Sequence, residues 1–214
     1  MARSFLIVGL GRFGKHMAKS LTRQGNEVLA IDISEDRVNS ALKYVTDARI
    51  GDATDEQFLR ELGVNNFDVC IVAIGDNFQA SLETTCLLDE LGAKYVFARA
   101  NRDIHKKFLL RNGADEVLYA ERETAERFAV RFGSEGVSDY FNLNDKYAIY
   151  ELSVPHSWVG KNLIEANVRQ KYHVNVLAIK SGNDFQMVTI DHRFTDDETL
   201  LVMGTQENIK KMMK

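Results

Sequence analysis

Phe5-Leu6-Ile7-Val8-Gly9-Leu10-Gly11-Arg12-Phe13-Gly14 decides how this chain folds. The four leading apolar residues read as a buried strand, and Lys15-His16-Met17-Ala18-Lys19-Ser20-Leu21 reads as a helix. The glycines between them have separate physical jobs. Gly9 permits the tight turn, Gly11 lets a pyrophosphate approach the backbone, and Gly14 lets the helix pack closely on the strand. The helix N-terminus offers unpaired N–H groups to phosphate. Glu27-Val28-Leu29-Ala30-Ile31 reads as a second strand, and Asp32 ends it with a carboxylate that can accept hydrogen bonds from ribose hydroxyls. Glycine-rich turns alone are common. Strand, glycines, helix, strand and acid in this order carry the signal.

The rest of the first half repeats the alternation. Glu35 to Tyr44 reads as a helix with Ser34 as its N-cap. Ala48-Arg49-Ile50-Gly51 is a short third strand, followed by a helix from Asp55 to Leu62. Phe67 to Ile74 is a nearly continuous apolar strand, as expected where both faces of a parallel sheet are covered. Asn77 to Leu91 is a helix with Leu82, Leu87, Leu88 and Leu91 for its buried side. Lys94 to Arg99 is a fifth strand, Ile104 to Asn112 a helix, and Glu116 to Tyr119 a sixth strand. Six strands alternating with helices predict a doubly wound parallel α/β sheet of Rossmann type, with strand order 3-2-1-4-5-6.

The pattern then changes. Arg122 to Phe132 reads as a helix and Gly133-Ser134-Glu135-Gly136 as a break. Short strands follow at Ala148–Val154, Val174–Ile179 and Thr199–Met203, with helices at Ile164–Lys171 and Gln206–Met213. We therefore divide the chain into a nucleotide-binding domain, 1–134, which includes the crossover helix, and a small α+β module, 135–214. So small a module buries a marginal core alone, so docking to a second copy is expected.

Composition narrows the function. A net charge of −4 argues against nucleic acid or an anionic membrane as the main partner. The Met-Ala-Arg-Ser start leads straight into a strand, so no secretory signal is visible. No apolar run approaches the ~20 residues that cross a bilayer. Cys70 and Cys86 belong to no CxxC or Cys/His cluster and read as buried thiols of a reduced, cytosolic protein.

In a sheet of this kind ligands bind at the carboxyl ends of the strands, near the reversal of strand order. The polar residues there are Arg12, Asp32, Asp52 beside Ala53, the Ala73-Ile74-Gly75-Asp76-Asn77 loop, Arg99, Asn101 and Glu121. Two arginines converging on one phosphate region suit ATP or ADP, each contact contributing roughly 1.5–3 kcal/mol. Solvated surface charges are the alternative. Asp52 is placed for an adenine edge or is a turn carboxylate. Glu121 could hold Mg²⁺ against phosphates or is simply a helix-start glutamate. Of the five histidines only His105 follows a strand near this region, and no pair has metal-ligand spacing. With no Ser/His/Asp or Cys/His set and no room for an ordinary substrate domain, the site reads as a sensor rather than an enzyme.

These residues resemble a family. Gly-Leu-Gly-Arg-Phe-Gly, Asp32, Gly51-Asp52-Ala53-Thr54, Val72-Ala73-Ile74-Gly75 and Gly113-Ala114-Asp115 together resemble the RCK (KTN) proteins, cytosolic regulatory subunits of Trk/Ktr-type potassium uptake systems. Val168-Arg169-Gln170-Lys171-Tyr172 through Val176–Lys180 and Leu201-Val202-Met203-Gly204 resemble the family's C-terminal module, RCK_C, behind the N-terminal RCK_N. The likeness is strongest to the Ktr peripheral subunits and covers nearly the whole chain.

The resemblance implies dimers assembled into an octameric ring, docked under a membrane-embedded potassium-translocating subunit at the inner face of the cell membrane, with no nucleic acid partner. It implies that ATP and ADP bind the N-terminal domains and favour different ring shapes. Carried over, the Gly9, Gly11, Phe13 and Gly14 turn takes the phosphates and Arg12 faces the terminal ones. Asp32 takes the ribose, and Asp52 and Ala53 take the adenine. Ala73, Ile74 and Gly75 line the loop. Arg99, Ala100, Asn101 and His105 reach phosphate or ribose, and Glu121 assists a Mg²⁺ or Ca²⁺ ion. This chain has Ala120 where the family often has proline. Some members also bind cyclic di-AMP between two C-terminal modules. Arg169 on a phosphate, Asn175 near a base and His192 are the candidates for that site. An NAD(H)-sensing member of the same family is the main rival reading. An NAD-dependent oxidoreductase is a further rival. It needs a general acid or base that the sequence does not supply. A DNA-binding redox sensor would need a helix-turn-helix and a basic surface.

Overall fold

The computed structural model describes residues 2–144, 146–182 and 184–213. The chain divides into two compact units, residues 1–121 and 122–214.

The first unit runs β1 (Ser4–Val8), α1 (Arg12–Arg23), β2 (Glu27–Asp32), α2 (Glu35–Ala41), β3 (Asp47–Ile50), α3 (Glu56–Leu62), β4 (Val69–Val72), α4 (Phe78–Glu90), β5 (Val96–Arg99), α5 (Asp103–Arg111) and β6 (Glu116–Leu118). Among the described residues its six strands are parallel, in the order β3-β2-β1-β4-β5-β6. The reversal falls between β1 and β4, as the sequence predicts. Successive β1 residues feed opposite layers. Leu6 and Val8 pack with Leu59, Leu88 and Leu109 of α3, α4 and α5, while Phe5 and Ile7 pack with Ala18, Val38 and Ala41 of α1 and α2. Both layers are buried and apolar, which is why β1 and β4 read as unbroken apolar runs.

The buried face of α4 differs from expectation. Leu88 is fully buried there, but its companions are Ser81, Thr84 and Thr85, whereas Leu82, Leu87 and Leu91 are only partly covered. The two threonine hydroxyls are satisfied, Thr84 donating to the Ala53 carbonyl at 3.2 Å and Thr85 to the Ser81 carbonyl at 2.7 Å, whereas the buried Ser81 hydroxyl has no partner among the described residues. Cys70 is buried in β4, and burial pushes its thiol up to about 12, which keeps it inert.

The second unit contains most of α6 (Ala120–Gly133), then β7 (Val137–Asn142), β8 (Ala148–Ser153), α7 (Val168–Tyr172), β9 (Asn175–Ser181), β10 (Asp184–Gln186), β11 (Thr199–Gly204) and α8 (Gln206–Met212). Its strands form an antiparallel sheet in the order β10-β9-β11-β8-β7. Trp158, Phe194 and Tyr172 meet at ring separations of 5.6 and 5.7 Å, beneath Leu152, Leu200 and Val202. No helix among the described residues is long and apolar enough to cross a membrane.

Two strands lack the sequence signal that would have predicted them. β10 is an exposed edge hairpin with no apolar stripe to bury. In β7 the alternation is hidden by Asp139, which pairs with Arg127, while Tyr140 packs on Tyr150 at 5.1 Å. The helix expected over 164–171 shortens to α7, because Asn167 takes a left-handed φ of 51° and interrupts it.

Arg127 in α6 donates Nε and Nη2 to the two Asp139 oxygens at 2.8 and 2.5 Å. These bonds, with the Tyr140 N–H, hold the Asp139 carboxyl below its ordinary value despite partial desolvation. A carboxyl depressed by folding contributes stability at neutral pH that is lost as pH falls through the depressed value. Asp139→Asn should therefore destabilise the protein at neutral pH, by about 1 kcal/mol or less because Arg127 is 42% exposed. Urea unfolding should show that difference vanish towards acid. A difference that persists undiminished in acid would mean that Asp139 acts through packing.

Candidate functional site

A cleft of about 570 Å³ opens at the carboxyl ends of the parallel strands, at the reversal of their order. Its floor is the turn between β1 and α1. Gly9 sits at φ +94° and donates its N–H to the Ile31 carbonyl at 2.8 Å. A Cβ on Gly14 would stand 1.9 Å from the Gly9 carbonyl oxygen, so only glycine lets α1 approach the turn this closely. A Cβ on Gly11 would meet nothing within 4 Å, because it would project into the open cleft. No side chain caps α1 and its first turn holds no acid, so its amides are left for an anion.

Asp32 forms one wall. It is 6% exposed, and its carboxylate accepts the Leu10 N–H at 2.6 Å, the Ser34 N–H at 2.8 Å and Arg37 Nη1 at 3.4 Å. Asp52, Ala53 and Thr54 form another wall. Asp52 is exposed and folds its Oδ1 back onto the N–H and hydroxyl of Thr54, at 2.9 and 2.8 Å. Ala53 is buried, its carbonyl held by Thr84. Ala73, Ile74 and Gly75 close the far side from the end of β4.

The two arginines meet at one end. Arg12 is exposed, whereas the Arg99 side chain is only 19% exposed. The Arg99 guanidinium lies 5.6 Å from the Phe13 ring centre, donates to Glu121 Oε1, and sits so near Gly75 that a Cβ there would come within 2.9 Å of Nη1. Glu121 stands in the first turn of α6. Its carboxyl is held below its ordinary value by its own backbone N–H first, then by the Arg99 bond and by the charges of Arg99 and Arg12, against desolvation. Arg12 therefore acts on the same small region as Arg99.

The cleft brings together Gly9, Gly11, Arg12, Asp32, Asp52, Ala53, Ala73, Ile74, Gly75 and Arg99. The remaining candidates stand behind its surface. Phe13 lies under Arg99, Gly14 inside the turn, and Ala100 in the core. Asn101 donates to the Gly75 carbonyl at 2.9 Å, and His105 bonds to Asn101 and stacks on Phe78. Among the described residues no three His, Cys, Asp or Glu converge as a metal set, and the Glu121 carboxylate is engaged by Arg99. Arg37 and Glu83 also line the cleft and were missed by sequence reasoning. For Glu83 the available signal was its spacing four residues after Gln79, which puts both on one helix face.

In the second unit a cavity of about 770 Å³ is lined by Leu163 to Glu165, Asn167 to Gln170, Val174 to Val176 and Ile190. Arg169 and Asn175 meet there, with Nε donating to Oδ1 at 2.7 Å. His192 does not join them. Its Nε2 lies 3.0 Å from the buried Glu198 carboxylate, which also accepts the Thr195 N–H.

Comparison with known proteins places these features in context. The TrkA-N domain matches residues 5–120 and the TrkA-C domain residues 148–214. The chain is 39% identical over 215 residues to Ktr system potassium uptake protein C of Bacillus subtilis (strain 168), covering 100% of this chain and 97% of that protein. It is 39% identical over 210 residues to Ktr system potassium uptake protein A of the same organism, covering 98% and 95%. In three dimensions it matches the GsuK channel with a TM-score of 0.72 at 17% identity, and the GsuK channel bound to NAD with 0.69 at 16%. Those matches cover 98% and 99% of this chain but 38% and 39% of the channel chains, and at such identities they show the fold alone.

The two glycines make opposite predictions. Gly14→Ala drives a methyl into the Gly9 carbonyl and should lower stability by about 3 kcal/mol. Gly11→Ala adds a methyl to open space and should lose only the better capping of glycine, about 1 kcal/mol or less. Urea midpoints of the two variants check this. Equal losses would contradict the packing described.

Proposed function

Because this chain belongs to the TrkA-N/TrkA-C family of Ktr-type potassium uptake proteins, we propose that it is the regulatory subunit of such a system, gated by adenine nucleotide in the first unit's cleft. One observation carries the reading. A single cleft joins a buried acid at one wall to two arginines at the uncapped N-terminus of α1, a layout suited to ribose at one end and extra phosphate charge at the other. In this reading Asp32 takes the ribose, Asp52 and Ala53 the adenine, and Arg99 the phosphates. Arg12 meets the terminal phosphate and tells ATP from ADP. Glu121 would assist a Mg²⁺ or Ca²⁺ ion whose shell phosphate oxygens complete. NAD(H) is the alternative occupant. Asp32 suits its ribose equally, but two arginines exceed what a pyrophosphate held by backbone amides requires.

The switch is a shift between two assembly shapes, passed to a membrane-embedded potassium-translocating partner from its cytoplasmic side. A ligand moves such an equilibrium only through its differential affinity. Moving 1:99 to 99:1 takes ~5.5 kcal/mol. One charge-assisted contact gives ~1.5–3 kcal/mol, so the same contact repeated in each subunit of a ring, an octamer in this reading, is enough.

Calorimetric titration of the nucleotide-stripped protein with ATP, ADP and NADH tests the proposal. Tight ATP and ADP binding with weak NADH binding is expected. Arg12→Ala should flatten the ATP/ADP difference while leaving ADP binding measurable. Preference for NADH, or full discrimination by Arg12→Ala, would overturn the assignment.

The Arg169–Asn175 pair in the second cavity supports a second, independent ligand reading, cyclic di-AMP held between two C-terminal units. His192, the third candidate, bonds to Glu198 outside this chain's cavity. Arg169→Ala should weaken cyclic di-AMP binding and spare ATP. Equal loss of both in parallel titrations would point to misfolding.

A further inference from the structure

The far wall of the cleft is a short loop held from behind. Gly75 ends the run that follows β4, and Phe78 begins α4. Asn101, just past β5, donates its amide to the Gly75 carbonyl at 2.9 Å. A carbonyl only accepts, so this bond fixes the Asn101 amide and leaves its Oδ1 as an acceptor. His105 Nδ1, in the first turn of α5, stands 2.5 Å from that Oδ1 and is therefore the donor. The same imidazole stacks on Phe78, with ring centres 3.8 Å apart and planes inclined by 11°. One histidine thus reaches both ends of the loop, Gly75 through Asn101 and Phe78 directly.

Between these anchors lie Asp76 and Asn77, both lining the cleft. Asn77 caps α4 by accepting the Ala80 N–H at 3.1 Å. Gly75 also faces the Arg99 guanidinium. Loop, cap and phosphate-end arginine therefore share one support. His105 is itself outside the cleft lining, so its effect on a ligand passes through the loop. Burial first, then the charge of Arg102, hold its imidazole below the ordinary value, which favours the neutral ring that the stack and the single Nδ1–H donor use.

We propose that His105 and Phe78 are positioning residues that clamp the 75–78 loop in the shape that receives a nucleotide. This rests on the cleft being the nucleotide site. It replaces direct contact of His105 with phosphate or ribose by support of the wall that both face.

The test uses two full-chain variants. His105→Phe keeps the ring stack and removes the donor to Asn101. His105→Asn keeps a donor near the Nδ1 position and removes the stack. Hydrogen exchange of the loop amides, followed without ligand, should accelerate in His105→Phe by about three- to tenfold, the worth of one neutral hydrogen bond. ATP and ADP affinities should fall by a common factor in the same range, so that their ratio is unchanged, in contrast to Arg12→Ala. His105→Asn should recover part of both effects. Native loop exchange and native affinities in His105→Phe would overturn the clamp. So would faster exchange spread evenly over the whole first unit, because that is general destabilisation. If the native protein binds neither ATP nor ADP, the nucleotide reading fails. The ligand-free exchange measurement still decides whether the clamp exists.

Discussion

The turn from β1 to α1 is held from three directions, and most of the first unit is arranged around it. Gly14 presses α1 against the Gly9 carbonyl with no room for a Cβ. The Gly9 N–H reaches the Ile31 carbonyl, and the Leu10 N–H reaches the buried Asp32 carboxylate at 2.6 Å. These bonds tie the turn to β2 on one side, while on the other the end of β4 comes up against Gly9, where a Cβ would stand 3.2 Å from Ala73 and Ile74 backbone atoms. The strand order reverses between β1 and β4, so the connections leave in opposite directions and a cleft results above the strand ends. Asp32 thus has a structural role before any ligand arrives. It satisfies a backbone donor that burial would otherwise strand.

The same economy governs the charges. Arg99 is anchored between Phe13, Glu121 and Gly75, so its guanidinium is positioned in advance. Arg12 projects from the first residue of α1 and is exposed. A phosphate bound as proposed would meet one prepared cation and one that must be ordered. It would also compete with the Glu121 carboxylate for the prepared one. In the proposed function, binding at this end would measure a difference between two anions, and a difference of that kind would let one phosphate more or less be sensed.

The second unit shows how far local signals reach. β8 and β11 carry alternating buried residues that close over Trp158 and Phe194, and they are legible for that reason. β10 buries nothing and is invisible to periodicity. α7 is short because Asn167 adopts a left-handed backbone, which asparagine tolerates better than most residues but which the helical spacing does not announce. The contact of His192 with the buried Glu198 carboxylate, six residues on, is likewise a tertiary feature that no local pattern announces.

What the amino-acid order alone determined is whatever depends on neighbours along the chain. This includes the glycine turn, the acid at the end of β2, the alternation of strands and helices, and through these the strand order 3-2-1-4-5-6. It also includes the main walls of the cleft, because strand ends are local features and the sheet rule brings them together. Only the tertiary structure decided which side chains face that cleft. Arg37 leans back on Asp32 from α2, Glu83 enters from α4, and His105 turns away to support the loop from behind. Each of these depends on how one helix rotates and packs against a sheet built from distant segments. Hydrogen bonds across 22, 26 or 31 residues, such as Leu10 to Asp32, Asn101 to Gly75 and Thr84 to Ala53, leave no periodic trace in the sequence.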